Sequence, residues 1–387
     1  MMFFRRKGVV RWLIPVAIFA VVGTVLLARG GQEAADPDDD RDEDSAAEDS
    51  SREVTQRSGP AIRGLRVGEG RLGSPGDPLV LHHELGDFVN RMMSGGPPPD
   101  GIPSIDEPEF ISADEAGLDP GDKVIGLDYG GVTRAYPHAI MVLHEIVNHK
   151  VDGENLAVTY CPLTKTGQGF KSGSTTLGVS GRLVNSNLIM YDRDTGSLWP
   201  QIGATAIDGE RTGETLEEVN LYWTTWERWR ERHPDTEVLS TNTGHARDYN
   251  RDPYGEYNPA SGYYTSDRTM FPLMADAERY HKKHAVVGAR TAERAVFFDM
   301  ESLAEEGIQR TESFIGVYDR DLDTGYVYEA GGGASFTYDA GADDGRPVVN
   351  ESTGDRYAPG ELPLEQVVAV EAFYFAWNAF YPESEHP

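Results

Sequence analysis

The chain repeats itself, and this constrains its fold more than any other feature. KVIGLDYGGVTRAYP (Lys123–Pro137) resembles AVVGARTAERAVFFD (Ala285–Asp299), each an apolar strand, a turn and a second strand. LAVTYCPLTKTGQGF (Leu156–Phe170) aligns without gaps on FIGVYDRDLDTGYVY (Phe314–Tyr328). Thr195-Gly196 with Trp199 falls at the same offset as Thr353-Gly354 with Tyr357. LEEVNLYWTTWERWRERHPDTE (Leu216–Glu237) matches LEQVVAVEAFYFAWNAFYPESE (Leu364–Glu385) throughout. Four matches in one order predict two copies of one unit, with a period too long for a solenoid. The expected fold class is α+β: two tandem strand/helix units, mainly antiparallel sheets, with a long insert between them.

Within the first copy, Pro137 suits the first turn of a helix, and Ile140, Leu143, His144 and Val147 would then share one face. Leu156–Tyr160 and Leu188–Tyr191 read as strands. Trp223, Trp226 and Trp229, three apart, predict a helix with an aromatic stripe packed as core. The copies are expected at 123–240 and 285–387. The insert, 241–284, is rich in Tyr, Asp, Arg, Asn and Gly, with little to build a core of its own. A loop of that length is functional or disordered, and its aromatic content points to a lid or wall over one copy. Residues 59–122 form a Gly/Pro-rich lead-in with a short helix in Pro78–Met93.

Ahead of these units, Arg5, Arg6, Lys7 and Arg11 precede an apolar run from Trp12 to Ala28. A run of this length is at the short end of what spans a bilayer. Its basic flank predicts a cytoplasmic start, with the remainder outside. The expectation for 1–30 is a single-pass membrane anchor, or a signal segment leaving a secreted protein if cleaved. Residues 31–58 form an acidic tether, with 11 acids and 2 arginines in 33–53. The formal charge is −29, and residues 57–387 carry −25 of it. Only seven residues are lysine. Dense carboxylates with few lysines suit a protein that must stay hydrated in concentrated salt, and they exclude nucleic acid as a partner.

The copies differ tellingly at the one cysteine. Cys161 stands where the second copy has Asp319, so the fold does not require the thiol. With a single cysteine, no internal disulfide can hold the outer part. Cys161 follows a strand and precedes a proline, a position where side chains face clefts. A catalytic reading makes Cys161 the nucleophile, His144 its base, and Glu145, Thr164 and Ser186 further candidates, with Asn185 as an oxyanion donor. A metal reading groups Cys161, His144 and Met190, soft ligands suited to copper. A third reading is a non-catalytic surface module, in which Asn185 and the insert's Arg247, Asp248, Tyr249, Arg251 and Tyr254 bind a ligand such as a glycan. The Arg/Asp group there could equally be a salt-bridged scaffold. His138 and His149 are expected at the surface. His281 and His284 (HKKH) have metal-ligand spacing, although two flanking lysines disfavour a cation. Asn350-Glu351-Ser352 is a potential glycan acceptor.

HEIVN (His144–Asn148), VTYCPLTKTGQGF (Val158–Phe170), SGRLVNSNLIMYDRDTGSLWPQ (Ser180–Gln201), STNTGHARDYNRDPYGEY (Ser240–Tyr257) and KHAVVG (Lys283–Gly288) together resemble the family catalogued as domain of unknown function 3179. The resemblance runs from about residue 80 to 385 and implies an exported or membrane-attached protein. It implies no activity. Relatives often carry a second cysteine in a pattern like YCPLCGT. Here Thr164 occupies that place, followed by Lys165, which speaks against two-cysteine redox or two-thiolate metal chemistry.

Overall fold

The computed structural model describes residues 62–387 apart from 69, 332 and 334. Antiparallel sheets with few helices make up this region, an α+β architecture. The predicted anchor (1–30) and acidic tether (31–58) lie outside the described residues. Among the described residues, no helix is long and apolar enough to cross a membrane.

Three sheets are built from residues 93–239. Lys123–Tyr129 forms a hairpin with Val132–Pro137 and pairs on its other edge with Tyr222–Thr225. Glu237–Leu239 extends this sheet by a parallel pairing to Val132–Pro137. Ile146–Val151, Glu154–Cys161, Thr166–Lys171 and Glu218–Val219 form a second sheet in that spatial order. Leu177–Val184, Asn187–Asp192 and Leu198–Pro200 belong to a third. From residue 285 the same neighbours recur. Ala285–Arg290 lies between Ala295–Asp299 and Ala369–Phe373. Ile308–Arg310, Phe314–Asp319, Thr324–Glu329 and Gln366–Val367 follow in order, and Phe336–Tyr338, Val348–Asn350 and Arg356–Tyr357 form the last sheet.

Each half closes with a seven-residue helix, Trp226–Arg232 and Tyr374–Phe380. Helices this short do not persist alone, so packing must hold them. A strand glycine provides the seat in each case. A Cβ at Gly126 would fall 2.2 Å from the Trp229 ring, and one at Gly288 would fall 2.4 Å from that of Trp377. Each indole N–H then finds a hydroxyl seven residues on: Trp229 Nε1 donates to Thr236 Oγ1 (3.0 Å) and Trp377 Nε1 to Ser384 Oγ (3.1 Å).

Local assignments differ from expectation in three places. Trp223 lies in the Tyr222–Thr225 strand, so only Trp226 and Trp229 of the three are helical, although all three are buried. The helix after Pro137, His138–His144, stops before Val147, because Glu145 turns left-handed (φ 61°) and the chain re-enters a sheet. Asn350 is buried, and its Oδ1 accepts from the Ser352 and Thr353 amides, so the folded chain does not present it as a glycan acceptor.

The insert has almost no regular structure beyond a short 3-10 turn, Gly262–Thr265. Packing orders it instead. Tyr254, Tyr257 and Tyr263 are half-buried and Tyr264 is buried. Tyr263 donates its hydroxyl to Leu163 O (3.0 Å), and Tyr257 and Tyr160 are joined through their hydroxyls (3.4 Å). The insert therefore lies against the first half, over the loop that follows Cys161.

Candidate functional site

Cys161 is the last residue of Glu154–Cys161, as its place before Pro162 predicts, but it does not open onto a cleft. It is 1 % exposed and packs with Leu163, Leu188 and Met190, and its thiol points at Ser186 O (3.6 Å). Burial, with Glu145 nearby, pushes the thiol up to about 11. A thiol so placed stays protonated and is a poor nucleophile.

His144 is fully buried and does not serve Cys161. Its Nδ1 lies 2.7 Å from Pro103 O, which can only accept, so Nδ1 carries the proton. Nε2 then accepts from the Tyr249 hydroxyl (2.8 Å), whose oxygen takes the Thr243 hydroxyl (2.6 Å). Both ring nitrogens are occupied, and burial pushes the imidazole down to about 4. The expected Cys–His pair is absent because the ring is committed to the lead-in on one side and the insert on the other. The copper set fails similarly. Met190 sits in the core with Cys161, His144 points elsewhere, and no three His, Cys, Asp or Glu converge for a metal among the described residues.

The expected oxyanion donors are also committed. Asn185 and Ser186 form the left-handed turn of a hairpin (φ 53° and 62°). Asn185 Nδ2 donates to Ala379 O, and its Oδ1 accepts from the Met274 amide. Ser186 Oγ is bonded to both amide and carbonyl of Phe271. Thr164 Oγ1 belongs to a buried network with Thr166, Asn187 and Gln201, which locks the loop after Cys161 to the neighbouring sheet.

Glu145 remains. Its backbone is fully used, with its N–H donating to Met141 O and its carbonyl accepting from the Tyr160 amide. Its carboxyl makes no hydrogen bond among the described residues, yet the residue is 8 % exposed. Cys161 and Tyr254 lie within electrostatic reach of it. Burial alone pushes the carboxyl up to about 8. A left-handed residue with a side chain costs about 1 kcal/mol or more, and an unbonded buried acid adds to that. His144 and Glu145 are adjacent at a helix end and diverge, His144 toward Tyr249 and Glu145 toward Cys161.

The amino-acid sequence matches the family described as protein of unknown function (DUF3179) over residues 99–384. The chain belongs to this family. No curated protein and no solved structure matches it. The family's YCPLCGT-like pattern has glycine where this chain has Lys165, and Lys165 adopts φ 59°, a conformation glycine takes freely. Lys165 instead reaches across to the second half and pairs with Glu371.

Among the insert residues, Arg247, Asp248 and Arg251 are exposed. Arg247 and Arg251 make no ion pair among the described residues, so the salt-bridged scaffold does not form. Tyr249 and Tyr254 are half-buried, Tyr249 bonded to His144 and Tyr254 within electrostatic reach of Glu145. His281 and His284 pair with separate carboxylates, Asp267 (3.7 Å) and Asp299 (2.5 Å), and so do not act together on a cation. His138 is not at the surface. It sits among Tyr160, Trp223, Tyr257 and Tyr264, and burial pushes it down to about 3. His149 is likewise packed, on Tyr136, whose hydroxyl it meets at 2.6 Å. Asp252, the fourth member of the insert's Arg/Asp group, accepts the Tyr264 hydroxyl (2.7 Å), and Tyr263 was not expected at the site.

Proposed function

We propose that the chain holds a small molecule beneath its tyrosine-rich insert, where Glu145 exchanges a proton with it beside the Cys161 thiol. The observation that carries this reading is the Glu145 carboxyl itself: on a nearly buried residue, without a hydrogen bond among the described residues, held on a left-handed backbone and close to a thiol and a phenol. Folded interiors rarely leave such a group unmatched unless something else uses it. A carboxyl kept protonated to neutral pH is also suited to general acid–base work. Thiol catalysis and a copper centre gain no support, since among the described residues no imidazole meets Cys161 and no metal-ligand set converges.

Alkylation tests this. Iodoacetamide is expected to modify Cys161 in the folded protein slowly at pH 7 and faster toward pH 10, tracking the raised thiol. Glu145→Gln should accelerate modification at high pH, because it removes a negative neighbour of the thiolate. Modification only at the global unfolding rate, measured by amide exchange on the same sample, would mean that solvent has no path to the site, and the reading would fall.

The two halves are further proposed to be copies of one ancestral unit. Their common strand order supports this, as do the paired seats Gly126–Trp229 and Gly288–Trp377. On the sequence alone, the chain is proposed to be anchored by Trp12–Ala28 with the family domain outside, in a saline milieu. Protease added to intact cells should then release the domain, and a protected domain would overturn that placement.

A further inference from the structure

Where the two halves meet, Trp223 of one and Glu371 of the other line a common cleft of about 280 Å³ and a second, much smaller space. These residues occupy matching places in the repeated segments LEEVNLYW and LEQVVAVE. Each carries a buried polar atom without a partner, the donor Trp223 Nε1 and the acceptor Glu371 Oε2. The other Glu371 oxygen is taken by Lys165, whose ammonium lies 5.6 Å above the Trp223 ring. Lys123 also lines the cleft, half-buried, and its ammonium makes no hydrogen bond or ion pair among the described residues. One oxygen of Asp323 accepts the Tyr318 hydroxyl.

The groups free to meet a guest, among the described residues, are thus one ammonium, one indole N–H, one Glu371 oxygen and the exposed Glu301 carboxylate, which also lines the cleft. Two of the seven lysines line this cleft together with Glu301, Asp323 and Glu371, so it offers charges of both signs. An anion alone would leave Glu371 Oε2 unmatched, and a cation alone would leave Lys123 and Trp223 unmatched. Buried polar groups left in that state are unfavourable. We propose that this cleft binds a small zwitterion of α-amino-acid size, its carboxylate on Lys123 and Trp223 Nε1 and its ammonium on Glu371. The volume is slightly below that of pockets for drug-sized ligands, which fits a smaller guest. The site is distinct from the Glu145 site and stands or falls independently.

Calorimetric titration of the purified full chain in molar KCl tests it, with glycine as the probe and acetate and methylammonium as its halves. Glycine should bind, and each half should bind about tenfold or more weakly. Lys123→Met, which breaks no bond in the free protein, should weaken glycine by about tenfold or more. Glu371→Gln should do the same where it folds; if the loss of the Lys165 pair unfolds it, Lys123→Met decides alone. Acetate binding as tightly as glycine would reduce the cleft to an anion site, and methylammonium doing so would reduce it to a cation site. Either result overturns the proposal, as do the absence of glycine binding and binding unchanged by Lys123→Met.

Discussion

Glu145→Gln is expected to be more stable than the parent protein at pH 9 by on the order of 4–5 kcal/mol, relative to their difference at pH 4. The carboxyl titrates near 4.5 when unfolded and is pushed up to about 8 by burial when folded. Below pH 4.5 it is neutral in both states and adds no penalty. As pH rises toward 8 the unfolded chain releases the proton first, so the folded state loses stability, fully so above that value. Glutamine keeps the shape and removes the titration. Denaturant unfolding of both proteins from pH 4 to 9, at constant molar salt, measures the effect. Parallel profiles would show that Glu145 ionises normally and would remove the main support for its role. The buried histidines act in the opposite sense. His138, His144 and His149 are pushed down to about 3, 4 and 4, so the stability they lend is present above about pH 6.5 and is lost as pH falls through those values.

Arg193→Ala should lose about 3–5 kcal/mol, because it breaks a buried ionic network from one side. The guanidinium donates to Asp106 (2.7 Å), Thr176 (2.9 Å), Asp100 (3.1 Å) and Ser104 (2.9 Å). Asp100, Ser104 and Asp106 belong to the lead-in segment that also carries Pro103, the acceptor of His144 Nδ1. Loosening this segment should reach the site as well as the stability. The His144 resonance, followed by NMR against pH, should titrate upward from about 4 toward the ordinary imidazole range. Arg193→Lys should recover only part of the loss, since one ammonium cannot replace a planar fork with several bonds. A loss below about 1 kcal/mol, or an unmoved His144 titration, would show that the network does not hold the lead-in in place.

Much of the fold could be read directly. The hairpins around Gly130 and Thr291, the strand ending at Cys161 and the closing helices all follow from local alternation, turn residues and the repeat itself. The ends of elements were less legible. Val147 and Trp223 fit a helical spacing, yet each is drawn into a sheet by a strand partner, Val147 by Val158 across the next hairpin and Trp223 by Ile125 far back in the chain. Sequence spacing cannot register a partner it does not contain.

At the site, the amino-acid sequence by itself determined which residues were worth attention. Cys161, His144, Glu145 and the tyrosine-rich insert do lie in one region, because the helix ending at His144 and the strand ending at Cys161 are near neighbours in the chain and the insert packs over them. The tertiary structure alone decided what each residue does there. His144 is bonded to Pro103 and Tyr249, Thr164 and Ser186 are tied into the scaffold, and the Glu145 carboxyl makes no hydrogen bond among the described residues. The reason is physical. Residue type and spacing set which hydrogen bonds a side chain is capable of, whereas burial and the partners brought together by folding decide which bonds are made and which proton is held.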